Sequence, residues 1–222
     1  MSRRNLFERK SIIVDEELHY IEDEKGRKLH YRFTPAAFIS NFTPLIVVLH
    51  DERGKGSHHF EYKMWNVLTP VNSREEENDL CWLGEKDDYY IKELLQILIR
   101  EMAEEYDCEE HIYLYGKGVG GYGAILHGIL SQAHTVYAHK AKIRLEGLET
   151  EENDLSNLVN KRNAFPIVYL CDDNTSNSEV KDFIEACKRD EVNIDLDHCI
   201  KEDGEVETLK EVLNMLEKMS PD

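Results

Sequence analysis

Five glycines fall within the eight positions from Gly116 to Gly123, wedged between the apolar run His111-Ile-Tyr-Leu-Tyr115 and a second apolar stretch that continues to Gln132. Glycine accepts positive φ and lets two backbones meet without a Cβ between them, and it weakens regular structure wherever neither is needed. Such a concentration marks a strand that turns sharply into a helix, with Gly116 and Gly120 as the small residues that let the turn close around Gly118. A β-turn-α unit of this kind must sit in a sheet, so the rest of the chain has to supply neighbouring strands and covering helices.

The flanking pattern supplies them. Ser11 to Asp23 and Arg27 to Phe33 read as two extended stretches joined at Glu24-Lys-Gly26, an antiparallel opening pair. Pro44-Leu-Ile-Val-Val-Leu-His50 is continuously apolar, as expected of a strand covered on both faces. Short apolar runs follow at Leu80 to Leu83, His111 to Tyr115, Thr135 to Ala138, Phe165 to Cys171 and Asn193 to Cys199. Within Asp87 to Tyr106, Ile91, Leu94, Leu95, Leu98, Ile99 and Met102 repeat at helical spacing, with Asp87 or Asp88 as the expected cap. Further helices are predicted over Gly121 to Gln132, Ser176 to Arg189 and Val206 to Met219. Strands alternating with helices define an α/β fold with a mostly parallel sheet and helices on both faces. No linker or composition shift divides it, so one domain is expected over 11–222, behind a flexible arm of residues 1–10.

Forty-five acidic against 27 basic residues leave a formal charge of −18, which repels phosphate backbones and anionic membrane surfaces. Nucleic acid is therefore not an expected partner, and runs such as Glu75 to Glu77, Glu149 to Asp154 and Glu202 to Glu207 read as solvated surface. The basic start Met1-Ser-Arg-Arg is followed by no apolar segment that would form a signal-peptide core or span a bilayer. A cytoplasmic protein without membrane insertion is expected. Five cysteines at 81, 108, 171, 187 and 199 show no C-x-x-C spacing, so reduced, packed thiols are expected, Cys171 in a buried strand among them. Ser57-His58-His59-Phe60 lacks the i, i+4 histidine spacing of a metal-binding helix and reads as a solvated loop or helix start; neither metal nor cofactor is expected.

Two antiparallel strands, then strand-loop-strand, then alternating helix and strand to a terminal helix resemble the α/β-hydrolase superfamily over nearly the whole chain. Gly116 to Ala124 is similar to that superfamily's Gly-x-Ser-Met-Gly-Gly-Tyr-x-Ala nucleophile elbow in all but the serine. Pro44 to His50, with Asp51-Glu-Arg-Gly54 after it, resembles the strand and His-Gly loop that supplies the oxyanion hole. The resemblance implies a single-domain α/β-hydrolase-like sandwich around an eight-stranded sheet. A narrower likeness over Trp82 to Ala138, beginning with Trp82-Leu-Gly84, is to hydrolase-like proteins of bacterial surface-polysaccharide biosynthesis and accessory secretion.

Serine hydrolysis needs a nucleophile, a base, an acid that orients the base, and N–H donors for the oxyanion. The resemblance puts Gly118 in the nucleophile's place and Glu205, in Lys201-Glu-Asp-Gly-Glu205, in the histidine's. Asp172 or Asp173, directly after Phe165 to Cys171, takes the acid's place. Glycine has no atom to attack a carbonyl, and a carboxylate with an ordinary pKa near ~4.3 is a weak base at neutral pH. Paired aspartates at a strand end also serve as turn formers. His198 is the fallback base, or else a strand residue packed on the sheet. His50 at the oxyanion loop, Gly118 and the Val119 N–H are the candidate ligand contacts, since a helix N-terminus accepts an anion or a carbonyl oxygen. The basic island His139-Lys-Ala-Lys-Ile-Arg144 suits an acidic sugar or phosphate, or balances nearby carboxylates.

These residues leave three functions open. The first is a catalytically degenerate protein that binds a small molecule, a glycan or a protein partner, within bacterial glycan production as the narrower resemblance implies. The second is an active esterase that uses His198, or an acid from Asp172, Asp173 and Glu205. The third is a nucleotide-binding domain, because Gly116-x-Gly118-x-x-Gly121 also matches a dinucleotide fingerprint between strand and helix. That fingerprint expects an acid about 20 residues on, where the chain reads Tyr137-Ala-His-Lys-Ala-Lys142.

Overall fold

A computed structural model describes residues 18–38, 43–51, 59–71, 82–84, 88–146, 150–159, 165–172, 177–200 and 205–219. The expected arm 1–10 and the start of the first predicted strand lie outside the described residues. β1 (His19–Glu22) and β2 (Lys28–Thr34) form the opening hairpin, and Gly26 takes φ +77° in its turn, where a Cβ would be strained. β3 (Leu45–Leu49) is buried at every residue, because it lies parallel between β4 (Asn66–Val71) and β5 (Ile112–Lys117). β6 (Thr135–His139), β7 (Ile167–Cys171) and β8 (Ile194–Asp195) continue the parallel part. The eight-stranded order is β1-β2-β4-β3-β5-β6-β7-β8, with antiparallel pairing at β1–β2 and β2–β4.

β4 is a strand that periodicity did not indicate. It carries Asn66, Thr69 and Pro70 and has no unbroken apolar run; its pairing to β2 and β3 makes it a strand. The converse holds at Leu80 to Leu83. Trp82 and Leu83 are fully buried, yet they form a turn, and residues 80–81 lie outside the described ones. Burial explains the apolar pair without extended backbone. Asn193 to Cys199 also shortens to the two residues of β8, so His198 is not a strand residue.

α1 (Tyr90–Glu105) buries the expected stripe of Ile91, Leu94, Leu95, Leu98, Ile99 and Met102. No side chain caps its start: Asp88 is drawn instead into an ion pair with Arg27 of the opening hairpin, and Asp87 lies outside the described residues. α2 (Val119–Leu130) follows β5. α3 (Ser178–Arg189) is capped by the Asn177 side chain, which accepts from the Glu179 N–H at 3.1 Å. α4 (Glu205–Met219) closes the chain.

Strand alternation sorts the core into two layers of different chemistry. Leu45, Val47, Leu49, Leu114, Val136, Ala138, Val168 and Leu170 face α1, α2 and α3. Ile46, Val48, Tyr113, Tyr115, Tyr137 and Tyr169 face α4, through its Leu209, Val212, Leu213 and Leu216. α1, α2 and α3 close the first face, whose strand residues are aliphatic and each worth about 1.5–3 kcal/mol when fully buried. Among the described residues α4 covers the second, and large rings fill it. Tyr115, Tyr137 and Tyr169 stack across neighbouring strands at 6.1 and 6.3 Å. No helix among the described residues is long and apolar enough to cross a membrane.

Candidate functional site

β5 runs into α2 through Gly118, whose backbone takes φ +55° and ψ −119°. This is a region that side-chain-bearing residues enter only under strain of about 1–3 kcal/mol. The turn is fixed on all sides. The Gly118 N–H donates to His139 O at 2.9 Å, and its carbonyl accepts from the Lys142 N–H at 3.0 Å and the Tyr122 N–H at 3.2 Å. Gly116 and Gly120 admit no other residue: a Cβ on Gly116 would lie 2.0 Å from Gly120 O, and one on Gly120 would lie 2.1 Å from Leu49 O. The small residues on either side of position 118 are therefore a packing requirement of the turn.

The loop after β3 approaches this turn from the neighbouring strand. His50 is buried with its ring against Phe60 at 6.4 Å, and Asp51 reaches across to α2. The Val119 N–H donates to Asp51 Oδ1 at 2.8 Å. An ideal Cβ on Gly118 would fall 2.4 Å from Asp51 Oδ1 and 2.5 Å from both Cγ and Oδ2. A carboxylate thus fills the volume in which a side chain at 118 would begin. It also takes the backbone donor that a serine hydrolase keeps for its oxyanion. The partial positive charge at the start of a helix favours an anion there. Sequence reading placed Asp51 in this loop but gave it no role, because the contact joins residues 68 positions apart.

The other proposed positions are less closely gathered. Asp172 is half-buried directly after β7, separated from β5 by β6, roughly 10 Å at ordinary strand spacing. Asp173 and residues 201–204 lie outside the described residues; Glu205 is the first residue of α4, and its side chain is not described. His198 is 52% exposed, and its Nδ1 meets Asp195 Oδ2 at 2.7 Å. The Asp197 and His198 N–H groups donate to Asp195 Oδ1 at 2.9 and 3.0 Å. Burial pushes the Asp195 carboxyl up, but these hydrogen bonds outweigh it and hold the group below the usual range. The imidazole sits edge-on to Tyr169 at 6.3 Å, at the far end of the tyrosine row that starts on β5. It is an acid–histidine pair outside the elbow.

Two further histidines are packed rather than solvated. His59 bonds Thr34 Oγ1 and Thr69 Oγ1, both at 2.8 Å, which corrects the solvated reading of Ser57 to Phe60; Ser57 and His58 lie outside the described residues. His127 is fully buried in α2. Its Nε2–H donates to Trp82 O at 2.9 Å and its Nδ1 accepts from Gln96 at 2.7 Å, an assignment forced by the carbonyl, which only accepts. Burial lowers both rings to about 4. In the basic island, Arg144 is committed to Asp154 at 2.5 Å. Among the described residues no three metal-ligating side chains converge.

No family model and no curated protein matches the chain. Solved structures do. Esterase 2 of Thermogutta terrifontis is similar with a TM-score of 0.63 at 15% identity, over 91% of this chain and 92% of that one. Dipeptidyl peptidase 4 of Porphyromonas gingivalis is similar with a TM-score of 0.63 at 12% identity, over 91% of this chain. The chain spans 35% of that peptidase, about a third of its length. At such identities the likeness is one of fold. The protein has an α/β-hydrolase fold, with the glycine turn at the strand-to-helix crossing after β5.

Proposed function

We propose that this chain is a catalytically silent α/β-hydrolase-fold protein that binds a ligand or a protein partner instead of cleaving an acyl bond. The Asp51 carboxylate carries the reading: it stands where a nucleophile's side chain would begin and accepts the N–H that an oxyanion would need. Gly118 adds nothing that can attack a carbonyl. The turn nevertheless keeps its conformation at φ +55°, which favours descent from an elbow over a chance glycine loop. Placement in bacterial glycan production rests on the Trp82 to Ala138 resemblance.

The active-esterase alternative is disfavoured by His198, which points its Nδ1 to Asp195 beyond three stacked tyrosines instead of toward Gly118. The nucleotide alternative is disfavoured by charge, since a pyrophosphate at the start of α2 would meet the Asp51 carboxylate.

p-Nitrophenyl acetate hydrolysis tests the proposal in three proteins: the unmodified chain, Gly118→Ser with Glu205→His, and the same pair with Asp51→Gly. The unmodified chain is expected to match a heat-denatured control. The double variant should stay at that level, because the introduced hydroxymethyl group and the Asp51 carboxylate compete for one volume, and hydrolysis should appear with the third change. Turnover by the unmodified chain that disappears in His198→Ala would overturn the silent reading in favour of the esterase.

A further inference from the structure

β8 joins the sheet through only two residue pairs, Val168 with Ile194 and Tyr169 with Asp195. The segment that follows then folds back over the end of β7. Ile200 N–H donates to the Tyr137 hydroxyl at 2.7 Å, and Cys199 Sγ lies 3.8 Å from Leu170 O and 3.7 Å from Leu196 O. Leu170 is the residue before Cys171, so the Cys199 thiol lies against the strand end that carries Cys171, near enough for the Cys171 thiol to push it up. The Tyr137 hydroxyl that holds Ile200 belongs to the same core layer as Cys171. Cys171 is buried at the strand end and Cys199 is exposed. Cys108 and Cys187 are buried in the opposite layer of the core.

We propose that Cys171 and Cys199 form a reversible disulfide, a redox-operated staple between the end of β7 and the segment after β8. With a peroxide as oxidant, the Cys199 thiolate attacks a peroxide oxygen, giving a sulfenic acid and one water. The Cys171 thiolate then attacks that sulfur and expels a second water, so the two thiols lose two protons and two electrons, which the peroxide takes up. A low-molecular-weight disulfide such as oxidised glutathione reaches the same bridge through a mixed disulfide and releases two thiols. Cys199 reacts first because it is the exposed partner. Burial, then the neighbouring Cys171 thiol and the Asp195 carboxylate, push its thiol up to about 12 against the pull of the Asp172 backbone, so the thiolate is scarce at neutral pH and oxidation accelerates as pH rises. The bridge would join Asp172, the residue after Cys171, to the chain that leads to Glu205. It stands independently of whether the elbow is silent.

The test is oxidation of the reduced full chain with hydrogen peroxide, and separately with oxidised glutathione, at neutral and alkaline pH. Intact mass and peptide mapping after alkylation are the readouts. The expected product has lost two hydrogens, links the Cys171 and Cys199 peptides, and returns to the dithiol with dithiothreitol. Closing the loop that contains α3 should raise the melting temperature by roughly 5 °C or more. Cys171→Ser and Cys199→Ser, melting like the reduced parent, should gain nothing. A bridge between other cysteines, glutathione or sulfinic acid left on Cys199 without a link, or thiols that stay fully alkylatable would each overturn the proposal.

Discussion

The turn after β5 holds a positive-φ glycine backbone with a carboxylate against it, whereas the corner after β8 holds an acid–histidine pair at the far end of the tyrosine row. At the first, Gly116, Gly118 and Gly120 keep a strained turn closed and Asp51 occupies the space beside it. At the second, Asp195 orients His198 at 2.7 Å, but the ring looks onto Tyr169 and solvent. Reactive residue types and reactive geometry are thus separable.

The comparison breaks hardest at the glycines. Gly120→Ala drives a Cβ to 2.1 Å from a backbone carbonyl that cannot rotate away, and overpacking of this kind should cost about 3 kcal/mol. An unfolding free energy lowered by that amount, read as a lower urea midpoint with an unchanged m-value, is the expected result. A neutral substitution would show that the turn is looser than its contacts require.

Acid should loosen the packing around His59, between β2 and β4, and around His127 in α2 before it loosens the corner. His59 and His127 stay neutral in the folded protein down to about pH 4, while an unfolded histidine binds its proton near 6.5. Between those values the unfolded chain holds more protons. Stability is therefore fully present above pH 6.5 and falls as pH drops toward 4, by up to ~3 kcal/mol for each ring. Denaturation midpoints across that window, repeated in His127→Gln, check it; the variant should show a shallower acid decline.

The smallest effect belongs to the corner. His198→Ala removes an exposed ring and leaves the backbone N–H bonds to Asp195 in place, so stability should change by less than about 0.5 kcal/mol. A melting curve that superimposes on the parent's sharpens the contrast. A large loss would mean that the dyad holds the end of the sheet together.

The glycine turn, the all-apolar β3 and the stripe of α1 were legible because each is a local rule: a Cβ that does not fit, a strand covered twice, a helical period. β4 was not legible, since its extended form comes from being paired on both edges. The end of β8 was misjudged for a related reason: the alternation of Ile194, Leu196 and Ile200 with polar residues continues beyond the two residues that are paired, into the exposed stretch 197–199. His127 likewise looked like one residue of a helix until Trp82 and Gln96 closed around its ring.

By itself, the sequence determined an α/β chain with a glycine-rich strand-to-helix turn, because periodicity and steric demand are written in neighbouring residues. Only the tertiary structure decided what fills the elbow and where the surviving acid–histidine pair faces. Those depend on loops 68 residues apart meeting at Asp51 and Val119, and on a row of tyrosines set by strand register, neither of which a linear pattern encodes.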